Sequence, residues 1–247
     1  MSYHIYLRML GYVFTIALQV GNGIYMTRSK LKGDVMFDPV IKQFAELQFR
    51  YFTCWTFALQ IFYSAVGLSC DILTLRNSRK KNYELPKHLR GLRDTLFAGI
   101  QWPSNLLVFT LFWTLFLYDR ALVLPKVIDN VLSSTSNHII HTTIIPIVLW
   151  EIAFRPRVVP TSHKRNLSHL LFHITLYFNI SFFRLLYTYY EKGIWIYPVF
   201  GKMYGTIYLP IFMMAILIFL YVAYHIQWNL TRLFWGDLSK QQLKKLA

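Results

Sequence analysis

The chain has 247 residues, of which 55% are hydrophobic and only 15% are charged. This composition excludes an ordinary soluble domain and is typical of a protein that crosses a membrane several times. The formal net charge is +15, but almost all Lys and Arg residues lie between apolar runs rather than within them. We therefore assign this charge to membrane orientation and to contacts with anionic membrane lipids, and we expect no nucleic-acid partner.

The two cysteines, Cys54 and Cys70, lie in the same apolar run. On one helix they would be about 24 Å apart along the axis, which is too far to form a disulfide. The sequence therefore offers neither a disulfide framework nor a cysteine-based zinc site.

Six apolar runs are each long enough to cross a bilayer, which takes about 20 residues. The predicted spans are 6–25, 49–73, 95–118, 131–154, 168–190 and 205–228. We expect the first run to be a retained span rather than a cleaved signal peptide. The predicted fold class is an all-α polytopic membrane bundle of six transmembrane helices, which forms a single domain over residues 1–247.

The distribution of Lys and Arg orients this bundle. One side holds both termini and the loops 76–93 and 155–165, and it carries sixteen of the 26 cations, against nine on the other side. Because cytosolic loops are enriched in Lys and Arg, we predict that both termini are cytosolic. The chain ends in Lys-Lys-Leu-Ala, which resembles the dilysine retrieval signal of endoplasmic-reticulum membrane proteins. We predict residence in that membrane, with a solvated basic tail and the plasma membrane as the alternative.

The second span carries a polar stripe along one helix face, because its polar residues are spaced by three and four positions. The stripe consists of Thr53, Thr56, Gln60, Ser64 and Gly67, and Asp71 extends it. A polar stripe on a membrane helix should face the bundle interior or a watery cavity. Thr56 and Ser64 fit helix–helix hydrogen bonding, Gln60 is a candidate substrate contact, and Thr53 lies near the non-cytosolic end, where a cavity could open.

The fourth span contains a second polar group, in the segment Asn137-His-Ile-Ile-His-Thr-Thr143. Ionisable residues inside a membrane are expensive and suggest a functional site by default. His141 lies about 15 Å into the span, and Asn137 lies one turn before it on the same side of the helix. Pro146 has no N–H, so we expect it to free the carbonyl of Thr142 beside His141.

These two spans run in the same direction, so Thr53 and His141 are predicted at similar depths. A threonine hydroxyl becomes a nucleophile when a base removes its proton, and histidine is the usual base near neutral pH. The residues by themselves leave open whether the two groups meet as a catalytic pair or only make hydrogen bonds between helices.

Two histidine pairs have spacings that can chelate a metal on a helix: His138 with His141, and His169 with His173. The second pair is predicted near the cytosolic end, far from the first, and the fourth span has no carboxylate near His141. We therefore expect no metal site. The remaining polar groups of this end are assigned to a cytosol-side cluster or to solvated helix ends: His169, His173, His225 and Glu151.

Arg184 lies late in the fifth span, at about the predicted level of Thr53. Its side chain could reach the interface along its aliphatic stem. Alternatively, its planar guanidinium could bind the carboxylate of a substrate.

Several short motifs together resemble those of the androgen-induced-gene and androgen-dependent TFPI-regulating protein family, which are six-span hydrolases of fatty-acid esters of hydroxy fatty acids. The motifs are Phe49-Arg-Tyr-Phe-Thr53, Leu92-Arg-Asp94, Phe112-Trp113, Tyr118-Asp-Arg120, Pro125-Lys-Val-Ile-Asp129, Asn137-His-x-x-His-Thr142 and Trp195-Ile-Tyr-Pro198. The resemblance implies a Thr53 nucleophile and a His141 base. Leu124 stands where the motif has Tyr, and Ser136 replaces an apolar residue before Asn137. These departures concern substrate range and entrance shape rather than the Thr53–His141 pair.

From the residues and this resemblance we predict an intramembrane threonine hydrolase that cleaves fatty-acid esters of hydroxy fatty acids through an acyl-threonine, without a cofactor. Asn137 orients His141, while Arg184 and Gln60 contact the substrate, and Asp129 and Asp119 are candidates for a third catalytic member. The alternative is a non-enzymatic lipid-binding membrane regulator or scaffold. A transporter is disfavoured because the sequence shows neither repeats nor paired broken helices.

Overall fold

The computed structural model describes residues 3–32, 34–80 and 83–236, except for the side chains of 177–186. All regular elements in these ranges are helical, which confirms the predicted all-α class. The helices are α1 (His4–Lys30), α2 (Pro39–Leu47), α3 (Phe52–Arg76), α4 (Lys87–Thr95), α5 (Trp102–Asp119), α6 (Ser134–His141), α7 (Ile144–Phe154), α8 (Lys164–Lys192), α9 (Pro198–Met203) and α10 (Tyr208–Trp235). A π-helical segment, Leu96–Gln101, joins α4 to α5.

Among the described residues, five helical segments are long and apolar enough to cross a membrane, so the chain is a multi-pass membrane protein. These segments are His4–Lys30, Phe52–Arg76, Lys87–Leu122, Ser134–Phe154 and Tyr208–Trp235. They match five of the six predicted spans. The other predicted span, 168–190, lies within α8, some of whose side chains are outside the described residues. The count of six and the cytosolic location of the termini remain predictions.

The first helix presents a polar stripe that was not predicted. Its buried residues recur every three or four positions and include Arg8, Tyr12, Thr15, Gln19 and Asn22. This stripe packs against the predicted stripe of α3, in which every member after Thr53 is buried. Polar faces of membrane helices turn inward because lipid cannot satisfy their hydrogen bonds. Two such faces therefore form the interior of the bundle.

A buried carboxylate in α3 ties together three helices at the predicted cytosolic end. Asp71 accepts hydrogen bonds from Arg8 Nε and Nη2 at 2.9 and 3.1 Å, and from Arg93 Nη1 at 2.8 Å. All three side chains are less than 10% exposed. Two guanidinium groups therefore neutralise one carboxylate and link α1 and α4 to α3.

A second buried carboxylate, Glu151 of α7, adds the fourth predicted span to this network. It accepts hydrogen bonds from the hydroxyls of Tyr12, at 2.6 Å, and Tyr63, and it pairs with Arg155 at 3.1 Å. Arg93 lies 3.7 Å from the same carboxylate. Glu151 thus lies in a polar cluster at this end rather than at a solvated helix end, but the predicted histidine partners were wrong. Buried tyrosines and arginines surround it instead.

The cations of this end also differ from the prediction, which counted them as loop charges. Arg8, Arg93, Arg155 and Arg157 are buried, because each has hydrogen-bonding partners inside the bundle. The segment Lys87–Thr95, most of which was predicted as loop, is helix α4. Its inner face carries Arg93 to the buried carboxylates, and this pairing offsets the cost of removing the charge from water.

Arg157 links α10 to the rest of the bundle, and no carboxylate among the described residues pairs with it. Its guanidinium donates to Gln227 at 3.1 Å and to Thr231 at 2.8 Å, and it stacks on the rings of Phe97 and Trp228. Burial lowers the pKa of Arg157 to about 10, so the side chain remains a cation at neutral pH. Hydrogen bonds and two aromatic faces therefore replace an ion pair here.

The fourth predicted span is interrupted between α6 and α7, at Thr142 and Thr143. The carbonyl of His138 accepts from both of their N–H groups, at 2.8 and 3.0 Å. The carbonyl of Thr142 accepts from Ile145 N at 3.2 Å, so the expectation that Pro146 frees it was wrong. The helix restarts at Ile144, which places Pro146 in a first turn, where its missing N–H does no harm.

Close packing of α1 on α3 requires a glycine at position 67. A Cβ at Gly67 would lie 2.5–2.9 Å from ring atoms of Tyr12, whose hydroxyl is held by Glu151. We expect Gly67→Ala to lower the free energy of unfolding by about 1–3 kcal/mol through overpacking. Gly21→Ala is the matched control, since nothing lies within 4 Å of its added methyl group. Thermal unfolding in detergent measures both, and equal midpoints would contradict the proposed crowding.

Removing the charge of Asp71 should destabilise the bundle far more than removing an exposed charge. Asp71→Asn leaves Arg8 and Arg93 without their buried carboxylate, and breaking such a pair costs about 3–5 kcal/mol. The control is Glu84→Gln, whose carboxylate lies 3.6 Å from Arg90 with both side chains roughly half exposed. An exposed pair contributes about 0–1 kcal/mol. The same unfolding measurement should separate the variants, and comparable losses would refute the role given to Asp71.

Candidate active site

The hydroxyl of Thr53 lies beside the ring of His141. The distance between Thr53 Oγ1 and His141 Nε2 is 3.4 Å, and the two residues come from different predicted spans. The structure therefore brings together the two groups that the sequence analysis paired.

The position of Thr53 in its helix leaves the hydroxyl available. Thr53 is the second residue of α3, which follows extended backbone at Tyr51. Deeper in helices, threonine hydroxyls donate to the carbonyl four residues earlier, as Thr15 and Thr74 do at 2.8 and 2.9 Å. The equivalent carbonyl for Thr53, that of Phe49, precedes the helix and accepts from Trp55 Nε1 at 3.0 Å. The first turn therefore frees the Thr53 hydroxyl for a partner outside its own helix.

Asn137 determines which nitrogen of His141 carries the proton. His141 Nδ1 lies 2.8 Å from Asn137 Oδ1 and 3.2 Å from the carbonyl oxygen of Asn137. A carbonyl oxygen only accepts, so Nδ1 carries the hydrogen in the neutral ring. The lone pair of Nε2 then faces the Thr53 hydroxyl, which donates to it. This is the orientation that a general base requires.

An aromatic ring fixes the plane of the imidazole. Phe112 of α5 lies parallel to His141, with 3.4 Å between ring centroids and 6° between the planes. Both residues are 5% exposed. Phe112 in turn packs against Leu124 and Ile128 of the following loop. Two helices therefore hold the base: α6 carries it and orients it through Asn137, and α5 supports its face through Phe112.

The other histidine of the segment has different surroundings. His138 Nδ1 lies 3.0 Å from Thr142 Oγ1, and its ring stacks on Trp113 with centroids 5.1 Å apart. It contacts neither Thr53 nor Asn137 through any hydrogen bond of the described residues. Of the two histidines in this segment, only His141 therefore contacts Thr53 in the described structure, a difference that their spacing alone does not predict.

Gln60 lies on the Thr53 face of α3, about 10 Å along the helix towards the predicted cytosolic end. Its side chain is 2% exposed, accepts from Gln19 Nε2 at 2.6 Å and donates to Asn105 Oδ1 at 3.2 Å. Asn105 donates to the side-chain oxygen of Gln101 at 2.8 Å. Four amides thus form a buried layer across α1, α3 and the third predicted span. Of these four amides only Gln60 was predicted, although Gln101 and Asn105 are spaced one turn apart.

Asp129 and Asp119, the candidates for a third catalytic member, have other partners. The side chain of Arg184 is outside the described residues, so its role remains a prediction. Asp129 is held by Arg120 at 2.6 and 3.0 Å, and Asp119 caps the turn at Ala121. The third position beside His141 is filled by Asn137. In the described part of the chain, no three His, Cys, Asp or Glu side chains come together as metal ligands.

A largely apolar cavity of about 400 Å³ lies at the predicted non-cytosolic end. It is lined by α2, the loop around Pro125 and the segment that follows Gly193. Tyr51, two residues before Thr53, forms part of its wall, while Leu124 and Ile128 connect the wall to Phe112. Thr53 and His141 do not line the cavity themselves.

Comparison with known proteins places this arrangement in a family. The family model described as FAR-17a/AIG1-like protein matches residues 39–232. The chain is 34% identical to the androgen-dependent TFPI-regulating protein of Homo sapiens over 198 residues, which cover 80% of this chain and 82% of that protein. Identity to the Mus musculus protein of the same name is 34% over 197 residues, covering 79% and 81%.

A more distant relative is the androgen-induced gene 1 protein of Homo sapiens, which is 25% identical over 153 residues, or 60% of this chain and 62% of that protein. No solved structure matches the chain. The resemblance predicted from the motifs is confirmed, and the chain belongs to the FAR-17a/AIG1-like protein family.

Proposed function

We propose that this chain is an intramembrane ester hydrolase with Thr53 as nucleophile and His141 as general base. The observation that supports it most is the Thr53–His141–Asn137 arrangement, with contacts of 3.4 and 2.8 Å on the two sides of one imidazole. A nucleophile next to a base that a third group orients is the recurring pattern of covalent catalysis.

The reaction follows from these contacts. His141 Nε2 takes the hydroxyl proton while Thr53 Oγ1 attacks the ester carbonyl carbon. The bond from this carbon to the alcohol oxygen breaks, and His141 returns the proton to the departing hydroxyl group. Water then attacks the acyl-threonine, loses a proton to His141 and releases the carboxylic acid, and Thr53 regains its proton. Asn137 stabilises the positive charge that His141 carries transiently, and no cofactor takes part.

The proposed substrates are fatty-acid esters of hydroxy fatty acids, a class that rests on the motif resemblance. The nearby cavity supports an apolar substrate, since its volume lies within the range of about 300–1,000 Å³ for ligand sites. Arg184 is proposed to hold the substrate carboxylate and Gln60 to contact the substrate. Membrane lipids are the surrounding partners. Residence in the endoplasmic reticulum is proposed from the basic tail, which lies outside the described residues.

The competing proposal is a lipid-binding regulator or scaffold without catalysis. Helix–helix hydrogen bonding accounts for a buried polar residue such as Gln19 of α1, whose side chain donates to Gln60 of α3 at 2.6 Å. Helix–helix hydrogen bonding alone does not explain the surroundings of His141. Asn137 orients its Nδ1, Phe112 packs on its ring, and its Nε2 faces the Thr53 hydroxyl, which makes no hydrogen bond within its own helix. This combination favours the hydrolase.

Loss of either member of the pair should abolish ester hydrolysis. We expect Thr53→Ala and His141→Ala each to lower kcat by about a thousandfold or more, because nucleophile and base act as one unit. Thr56→Ala and His138→Ala are the matched controls, since they remove the same groups within one turn, and the Thr56 hydroxyl donates to the backbone carbonyl of Thr53 rather than to the reacting hydroxyl or to His141. Hydrolysis is measured in proteoliposomes at equal protein levels. Near-normal turnover in either active-site variant would exclude the assignment.

Asn137 should act through its side-chain oxygen. We expect Asn137→Leu to lower kcat by about tenfold to a hundredfold, less than removal of the base, because the backbone carbonyl still accepts from Nδ1. Asn137→Asp keeps an oxygen at this position and should retain more activity than the leucine variant. A pH profile of kcat for both variants accompanies the comparison. Equal kcat values for Leu and Asp would show that Asn137 serves only packing.

A further inference from the structure

Lys30, the last residue of α1, carries a partly buried ammonium group at the predicted non-cytosolic end. Its Nζ donates to the side-chain oxygen of Gln48 and lies 5.7 Å from the centre of the Phe44 ring. In the described part of the chain no carboxylate pairs with it. An ammonium group has three donors, so two of them remain for a ligand.

Among the described side chains, the other partly buried cations of this end each have a carboxylate nearby. Arg50 lies 3.9 Å from Glu191, and Arg120 lies 2.6 Å from Asp129. A cation that loses part of its water is stabilised by an opposite charge, which the protein does not supply to Lys30. The surroundings of Lys30 therefore fit an anionic ligand.

The end of a helix does not by itself explain this position. The helix dipole stabilises a cation in the last turn, and Arg28 shares that turn of α1 with Lys30. The side chain of Arg28 is exposed, so the dipole acts there without burial. Lys30 instead turns its charge towards the protein, at Gln48 and Phe44.

The apolar cavity of about 400 Å³ lies next to this cation. Phe44 is part of the cavity wall, and so is Tyr51, whose ring centroid lies 5.5 Å from that of Phe44. Tyr51 precedes Thr53 by two residues, so an apolar chain in the cavity lies near both the cation and the proposed nucleophile. An unpaired ammonium beside an apolar cavity matches one class of ligand, a long-chain carboxylate.

We propose that Lys30 binds the free carboxylate of the substrate and that the cavity holds the hydroxy-acid chain which carries it, an inference that rests on the proposed function. In a fatty-acid ester of a hydroxy fatty acid only this half has a free carboxylate, because the other carboxyl group forms the ester. The hydroxy acid is the leaving group, and Lys30 takes no part in breaking its bond. Lys30 is therefore a specificity-determining residue.

Two further observations define the scope of this proposal. Arg184 is proposed for the same carboxylate from its predicted depth, and Lys30 is a second cation for it, with a described side chain. Lys30 also lies before residues 39–232, which match the family model, so its role is inferred from the contacts of this chain alone.

A pair of substrates separates the charge of Lys30 from its packing. The full-length wild type and Lys30→Met are compared in proteoliposomes on an ester with a free carboxylate and on the same ester with that carboxylate methylated. We expect Lys30→Met to lower kcat/KM for the free acid by about tenfold to a hundredfold, the effect of one charge-assisted hydrogen bond. For the methylated ester we expect a change of no more than about twofold, because it presents no charge to Lys30.

Two variants serve as controls for this comparison. Arg28→Met removes an exposed cation from the same helical turn and should leave the preference for the free acid unchanged. Lys30→Arg keeps the charge and should retain most of the preference. Equal losses on both substrates in Lys30→Met, or a preference that only Arg184→Leu removes, would overturn the role of Lys30 and leave the hydrolase in place.

A second readout does not depend on hydrolysis. A long-chain hydroxy fatty acid with a photoreactive diazirine in its chain is added to the wild type in nanodiscs and irradiated, and mass spectrometry locates the label. We expect labelling of wall residues such as Phe44 and Trp195, about tenfold weaker in Lys30→Met and unchanged in Arg28→Met. Equal labelling of Lys30→Met and the wild type would exclude the carboxylate site. If labelling depends on Lys30 but no ester is hydrolysed, the hydrolase fails and the carboxylate site stands.

Discussion

The carboxylate of Glu151 sets the register between the two helices that carry the candidate dyad. Tyr63 donates to Glu151, and Tyr63 lies ten residues after Thr53, just as Glu151 lies ten residues after His141. The Thr53–His141 and Tyr63–Glu151 contacts are therefore separated by ten residues, or about 15 Å, on both chain segments. This equal separation aligns α3 with α6 and α7. A buried carboxylate accepts few alternative partners, because leaving it unpaired costs several kcal/mol. The buried contacts of Glu151 at the predicted cytosolic end thus help to keep the Thr53 hydroxyl beside His141 near the opposite end.

Charged residues concentrate at the two ends of the described bundle and leave mainly neutral polar groups between them. Buried ion pairs gather around Asp71 and Glu151 at the predicted cytosolic end, while exposed pairs such as Arg120 with Asp129 lie at the opposite end. Between them the described polar groups are neutral amides, hydroxyls and imidazoles. An asparagine beside His141 fits this neutral layer, since an aspartate there would place an ionised group in a low-dielectric interior.

Much of the fold could be predicted from periodicity and length. Five predicted spans match helices to within a few residues at most ends, because 20 apolar residues in a row leave few alternatives to a membrane helix. The inner face of α3 could also be predicted, because its polar residues are spaced by three and four positions. The stripe of α1 escaped notice, since single polar residues such as Thr15 and Gln19 are diluted in an apolar run. Arg93 was misplaced because charge in sequence favours a loop, and only its buried carboxylate partners reverse that preference.

The sequence by itself determined the class of protein, the inward face of α3, and the candidates Thr53, His141 and Asn137. Their residue types, depth and motifs carry that information locally. Only the tertiary structure decided that the threonine and histidine meet, that Asn137 and not an aspartate completes the group, and that Phe112 supports the ring. It also showed that Gln60 belongs to a layer of four amides. The reason is that distances between helices depend on packing and on paired buried charges from distant segments, which no single stretch of sequence encodes.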